Sequence, residues 1–519
     1  MARQYLMTID AGTGSVRAVV FDTSGRQAGM GQREWNHRAE KGVPGSMNFD
    51  TETGWKLVVE CIREALTDAC VSPTEVAAVT ATSMREGIVL YDREGRELFA
   101  VANVDARAGR EAAELRERYP GLEREFYGLS GQTFALGALP RLLWVKRNMP
   151  EVYERISSMS MISDWVLTRL CGVIASEPSN AGTSGIFSLK ERRWVPEMAR
   201  MVCLRDDIFP PVYESGNVLG TVTADAASET GLTTGTPVVT GGGDVQLGSA
   251  GLGIVREGDI AILGGTFWQQ IANIPAGRSD PDMNLRVNPH VVPGLSQAEG
   301  ITFFSGYIMR WFRDQFCEKE KELAAAEGMD PYAYMERMAA DVPPGSLGIM
   351  PVFSDTMKYG RWYHAAPSFV NLPLEGPVKA AMFRSLEENA AIVSMLNLEG
   401  ISAFTGMEND SLVFAGGAAK GTLWPRILAD VTGCEIRIPA VTEATALGGA
   451  FAAGVGAGIY GSLTEAADTL VHWERSYEPD AERNRLYREI AERWREIYDA
   501  QLALTDRGLT TSMWRAPGL

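Results

Sequence analysis

The first hydrophobic run, Tyr5-Leu6-Met7-Thr8-Ile9, is short, β-compatible and stopped by Asp10 and a glycine-rich tetrad. Apolar residues resume over Ser15–Phe21 and again over Gln27–Trp35, with Asp22-Thr23-Ser24-Gly25 as the turn between them. Short runs punctuated by glycine turns predict an antiparallel three-strand meander. Leu57, Cys61 and Ala65 then recur at helical spacing, and Val76–Thr82 reads as a fully buried strand. Helical patterns dominate residues 107–171, and Val238–Thr240 opens another strand that ends at Asp244.

A second strand, turn, strand unit follows, Asp259-Ile260-Ala261-Ile262-Leu263-Gly264-Gly265-Thr266-Phe267. Two copies of one β-turn-β device about half a chain apart predict a duplicated α/β domain that grips a ligand between its halves. Leu412–Ala415 is an apolar strand opening into small residues, with Leu423, Trp424, Ile427 and Leu428 continuing at helical spacing. Ala444–Leu463 is uncharged but rich in glycine and alanine, which suits a tightly packed internal helix better than a bilayer. Leu486, Ile490, Trp494, Ile497 and Tyr498 predict a closing amphipathic helix, followed by an irregular tail from Arg507. These patterns predict a first domain over 1–248, a second over 249–475 and a C-terminal helix and tail over 476–519.

Composition narrows the partners. A chain of 519 residues exceeds the capacity of one core. A net charge of −17 disfavours nucleic acid and anionic membranes, both of which need a basic face. Six cysteines without a CxxC pair and four scattered histidines give no zinc spacing and read as thiols of a reducing compartment. The N-terminus reads directly into a strand without a leader pattern, so the expected setting is cytoplasmic.

Candidate chemistry lies at the strand ends. Asp10-Ala11-Gly12-Thr13-Gly14-Ser15-Val16-Arg17 offers a carboxylate for a magnesium shell, with glycine amides and two hydroxyls as phosphate donors. An ordinary hairpin with a solvated Asp10 is the alternative. Val239-Thr240-Gly241-Gly242-Gly243-Asp244-Val245-Gln246 exposes Asp244 after an expected triple-glycine turn, where it could accept a proton from an alcohol attacking a phosphoryl group. A conformational role in a glycine turn is its alternative. Arg85 and Glu86 in Ser83-Met84-Arg85-Glu86-Gly87 provide a donor fork and an acceptor for a polyol or carbonyl ligand, or else form a surface ion pair. Gly416-Gly417-Ala418-Ala419-Lys420-Gly421 admits a flat base and its phosphates near a helix start, or is simply a close-packed turn. Walker A, protein-kinase and Gly-x-Ser-x-Gly signatures are missing from the sequence.

The order and intervals of these pieces resemble the FGGY carbohydrate kinases along essentially the whole chain. Further matching stretches are Ala102–Arg107, Met161–Trp165, Gly241–Gly248, Leu263–Gln270, Tyr363–Ser368 and Trp514–Leu519. The resemblance implies two actin-like (ribonuclease H-like) α/β domains closing over an ATP cleft, with ATP and Mg2+ as cofactors. It implies that Asp10 organises magnesium through water, with Asp244 beside the metal and acting as the catalytic base. Gly12, Thr13, Gly14 and Ser15 would cradle phosphate, supported by Arg17. Gly265 and Thr266 would reach the γ-phosphate, while Gly306, Gly416, Gly417 and Lys420 would flank the nucleotide. Arg85, Glu86, Gln246 and Asp105 would position the acceptor.

Ala418 and Gly421 depart from the family's usual third glycine and serine, and the Gly-Glu-Arg pattern common near Pro351 is missing. The implied acceptor is the open-chain form of autoinducer-2, a dihydroxypentanedione. Xylulose, ribulose or glycerol, and an actin- or Hsp70-like ATPase without an acceptor, remain alternatives. A homodimer and a regulatory protein partner are also left open.

Overall fold

The computed structural model describes residues 4–361, 363–408, 410–441 and 443–515. Ala516–Leu519 of the closing family stretch therefore lie outside the described residues, as do Met1–Arg3. Among the described residues, eighteen strands run in chain order. The first half contains β1 (Tyr5–Ala11), β2 (Ser15–Asp22), β3 (Gln27–Glu34), β4 (Val76–Ser83), β5 (Ile88–Tyr91), β6 (Glu97–Val101), β7 (Ser158–Met161), β8 (Val218–Thr221) and β9 (Pro237–Gly243). The second half contains β10 (Ile260–Gly264), β11 (Trp268–Pro275), β12 (Arg286–Pro289), β13 (Leu295–Thr302), β14 (Met350–Val352), β15 (Ser368–Val370), β16 (Ser411–Ala415), β17 (Glu435–Pro439) and β18 (Trp473–Tyr477).

Two large sheets carry the fold, in the orders β3-β2-β1-β4-β9-β8 and β12-β13-β11-β10-β16-β17-β18. Their centres share one design. In the first sheet, an antiparallel β3-β2-β1 meander is continued by β4 and β9, both parallel to β1. In the second, β13-β11-β10 is the meander, continued by parallel β16 and β17. The β-turn-β echo thus reflects a repeated sheet. Every residue of β4 is buried, as expected for a parallel strand covered on both faces.

Helix Thr51–Asp68 turns Trp55, Val58, Cys61, Ile62 and Ala65 toward the first sheet. The second core gathers Trp268, Phe383, Phe414, Trp424 and Trp494. The closing helix, Ala481–Asp506, buries Tyr487, Ile490, Trp494, Tyr498 and Leu502. Leu486 departs from the expected face and is 37% exposed, because the inward stripe passes through its neighbour Tyr487.

The halves meet through two helices of small residues, Asp244–Gly251 and Ala444–Gly456. A Cβ on Gly448 would lie 1.8 Å from the Leu247 carbonyl oxygen, and one on Gly251 would lie 2.0 Å from that of Ala444. Only glycine permits this approach. Val245 of the first helix belongs to an apolar cluster with Ala261, Ile271 and Val413 of the second sheet, while Thr8 of β1 donates to the Ala446 carbonyl at 2.8 Å. Each helix therefore packs beneath the opposite half. Among the described residues, no helix is long and apolar enough to cross a membrane.

Candidate active site

The parallel strands β1, β4 and β9 end on the same edge of their sheet, where ligands collect in open α/β folds. Register pairs Asp10 with Thr82, Thr82 with Gly242 and Ser83 with Gly243. Asp10, the Arg85-Glu86 pair and Asp244 consequently emerge side by side. The triple glycine corrects the expected turn: Gly241–Gly243 are the last residues of β9, and Asp244 is the first of the following helix. A Cβ at Gly241 would meet the Ala81 carbonyl oxygen at 1.9 Å, so the glycines serve close strand packing.

The 12–14 tip is held from below. Trp35 donates from Nε1 to the Gly12 carbonyl at 2.9 Å and from its amide to that of Gly14 at 3.2 Å. His37 Nε2 lies 2.7 Å from the Thr13 carbonyl, and Asn103 donates to Thr13 Oγ1 at 3.0 Å. With its carbonyls engaged beneath, the exposed tip can present amides to an anion. Ser15 begins β2 at the base of the hairpin. Arg17, opposite Asp10 in the ladder, lies 3.8 Å from Asp10 Oδ2 and 2.5 Å from Glu443 Oε2. It ties the phosphate hairpin to the second half.

Burial pushes the Asp10 carboxyl up to about 6, against the pull of Arg17 and with a further push from Glu443. Burial likewise pushes Asp244 up to about 7, opposed by Arg85 and reinforced by the Asp10 charge. The two acids are close enough for the Asp10 charge to raise the cost of ionising Asp244. They fit a hydrated magnesium ion, which binds through one or two carboxylates and retains several waters. Asp244 keeps 34% of its side-chain surface open toward the cleft, as a proton acceptor for a bound alcohol requires.

The acceptor side joins both halves. Arg85 Nε lies 3.7 Å from Asp244 Oδ1, and its Nη1 pairs with Glu299 of β13. The surrounding acids hold the Arg85 pKa above its ordinary value despite burial. Glu86 pairs with Arg286 of β12 at 2.5 Å. Burial raises the Glu86 carboxyl, but Arg286, Arg85 and Arg141 outweigh it and hold the group below its usual range. Gln246 lies buried beneath Asp244, donating from Nε2 to Gln297 at 3.2 Å and Glu299 at 3.1 Å. Arg286 and Glu299 were not evident from sequence, since no local motif links them to Glu86 and Arg85 some two hundred positions earlier, nor was Asn288, which donates to Glu299 at 3.0 Å.

Asp105 lies one guanidinium behind this edge, where Arg141 donates to the carbonyls of both Glu86 and Asp105. Its fully buried carboxylate accepts from Arg107 Nε at 2.8 Å and from the Met47 amide at 2.6 Å, which pins the loop instead of facing a ligand.

Across the cleft, a cavity of about 620 Å³ opens in the second half. Gly265, Thr266, Gly306, Gly417 and Lys420 line it, together with Glu336, Glu387 and Trp424, which the sequence reading did not select. Gly306 backs onto the β10–β11 turn so closely that a Cβ would sit 2.3 Å from the Gly265 carbonyl oxygen. Gly416 stands behind the wall at φ +98°, where a Cβ would strike Gly264 at 2.7 Å.

The family model for the N-terminal domain of FGGY carbohydrate kinases matches residues 5–251, and that for the C-terminal domain matches residues 275–457. The chain is 56% identical over 518 residues to a protein of Yersinia enterocolitica named autoinducer-2 kinase, covering 99% of this chain and 98% of that one. It is 54% identical over 518 residues to the autoinducer-2 kinase of Salmonella typhimurium, with the same coverage of 99% and 98%. In fold, it matches a xylulose kinase from Rhodospirillum rubrum with a TM-score of 0.83 at 23% identity, over 96% of this chain and 99% of that one. Plasmodium falciparum glycerol kinase, solved with ADP, also gives 0.83 at 17% identity, over 96% and 99%. The chain belongs to the FGGY family of carbohydrate kinases.

Proposed function

We propose that this phosphotransferase uses ATP to phosphorylate the primary hydroxyl of open-chain autoinducer-2, 4,5-dihydroxy-2,3-pentanedione. The observation that carries the substrate is the 56% identity, over nearly the whole chain, to a kinase named for it. In this reading residues 1–248 and 249–475 are the two kinase domains.

The acceptor lies against Arg85 and Glu86, with Gln246 shaping the floor. Asp244 accepts the hydroxyl proton as that oxygen bonds to the γ-phosphorus, while the bond from phosphorus to the β-bridging oxygen breaks and ADP departs. The 12–15 hairpin and the Gly265-Thr266 turn hold the phosphates from opposite sides. Asp10 and Asp244 would hold magnesium, which when bound supplies charge neutralisation on the phosphate oxygens. Because ATP is the donor, the setting is the cytoplasm, and a charged product would be retained there.

The test is purified protein with ATP and a panel of acceptors: the dihydroxypentanedione, xylulose, ribulose, glycerol and water. ADP release and the mass of the phosphorylated product are followed together. Fastest turnover with the dihydroxypentanedione is expected. A pentulose turned over much faster would overturn the substrate, and rapid ADP release without an acceptor would overturn the kinase mechanism.

A further inference from the structure

The wall of the 620 Å³ cavity contains an acid that the phosphoryl-transfer chemistry does not use. Helix Val378–Thr405 runs behind the second sheet, and Phe383 and Glu387, one turn apart, both line the cavity. The adjacent Glu388 is fully engaged: Arg384 donates to it at 2.9 Å, Tyr487 at 2.8 Å and Ser346 at 2.7 Å. Of the other two acids of this wall, Glu336 accepts from the Thr422 and Leu423 amides at 2.8 and 3.2 Å, and Asp330 from the Tyr332 and Ala333 amides at 2.8 and 3.2 Å. Glu387 is 1% exposed, and its Oε2 has no hydrogen-bond partner. Buried polar atoms in native proteins are rarely left so, and an unpartnered one at a cavity wall points to a ligand.

The surroundings specify the ligand's shape. Phe383, Met309 and Trp424 provide apolar walls for a flat ring, and Trp424 is fixed by donation from Nε1 to the Glu387 carbonyl at 3.1 Å. The Gly265-Thr266 turn contributes the phosphate side of the same cavity. We propose that Glu387 recognises the nucleotide base, presenting a hydroxyl donor and a carbonyl acceptor to the ring nitrogen and amino group of adenine. This rests on reading the cavity as the nucleotide site.

Burial first, then the neighbouring Glu336, hold the Glu387 carboxyl well above its ordinary range, with Arg384 opposing and Glu388 adding to the rise. A neutral acid both donates and accepts, whereas a carboxylate only accepts. The latter would instead suit the two adjacent N–H donors of guanine.

Calorimetric titration of the full chain with magnesium-ADP, magnesium-GDP and magnesium pyrophosphate tests the assignment. Glu387→Gln retains one donor and one acceptor and should bind ADP within about threefold of wild type. Glu387→Met retains volume without polarity and should weaken ADP by about tenfold or more, with the ADP-over-GDP preference reduced. Pyrophosphate, which has no base, should bind all three proteins equally, so a general loss of structure is recognisable.

Ala333→Trp, an exposed position on the cavity wall, separates the two readings. If it abolishes ADP binding while Glu387→Met binds ADP like wild type, the cavity is the nucleotide site and the role of Glu387 is refuted. If Ala333→Trp also leaves ADP affinity intact, the nucleotide reading of the cavity is refuted. Equal loss of pyrophosphate and ADP in both Glu387 variants would assign the residue to folding and overturn its role in recognition.

Discussion

Replacing Asp244 with Asn should make the protein more stable at alkaline pH while nearly abolishing its turnover. The folded state raises this carboxyl from its ordinary 3.8 to about 7. Between those values the folded protein retains a proton that the unfolded chain has released. Stability therefore falls as pH rises from about 4 through about 7, and the full penalty is present above that. The gap corresponds to a ceiling of about 4 kcal/mol at 1.36 kcal/mol per pH unit. A third of the side chain faces solvent, so screening reduces this to about 2 kcal/mol.

With an unfolding entropy of about 1.1 kcal/mol/K for a chain of this length, the corresponding shift in Tm is about 2 °C. Differential scanning calorimetry of wild type and Asp244→Asn should show that gain at pH 8.5. At pH 5, where the unfolded chain has already released this proton, about a third of that gain should remain, and only below about pH 4 should the two melt together. Turnover with acceptor should fall by about 10²–10⁴, the contribution of a positioned base. Wild-type kcat/KM should fall on acidification below about pH 7 as Asp244 takes up its proton. A variant less stable at pH 8.5 would mean that Arg85 more than compensates the Asp244 charge, and the reasoning from burial would be refuted. Turnover like wild type would remove Asp244 from the base role.

Asp10→Ala should weaken ADP binding in the presence of magnesium by about tenfold or more, with little change in EDTA, as titration in the two buffers would show. Equal losses in both buffers would contradict a metal role. Glu299→Ala strips Arg85 of its buried partner, removes the acceptor of the Asn288 amide and leaves Gln246 with Gln297 alone. Breaking such a pair costs about 3–5 kcal/mol, to be read from denaturant unfolding, and acceptor KM should rise more than ATP KM. Gly448→Val inserts a side chain where even a Cβ would lie 1.8 Å from a backbone oxygen. It should separate the two helices and abolish soluble, cooperative unfolding, whereas an unchanged melting profile would refute the close crossing.

The strand ends were legible because chemistry there depends on local order: an acid, glycines and hydroxyls at the tip of an apolar run. The same local logic misread Gly241–Gly243, since three glycines look like a turn until the backbone of β4 is laid beside them. Asp105 appeared available because the Met47 amide is brought to it only by the fold, although its other partner, Arg107, stands two residues on. Glu299, Arg286 and Glu387 carry no local signal. Glu299 and Arg286 depend on partners about two hundred residues away, and helix Val378–Thr405 is buried on so many sides that its sequence has little polar periodicity to reveal one cavity-facing acid.

The glycine- and alanine-rich run after residue 444 was legible as a packed helix, but its partner was not. That partner begins with Asp244 itself, so the proposed base stands at the head of the helix on which the two halves cross. A contact made by backbone against backbone has few interlocking side chains to resist rotation. The proposed base and the small-residue contact thus share one short helix, so the Gly448→Val substitution that forces the helices apart should also displace Asp244 and lower turnover.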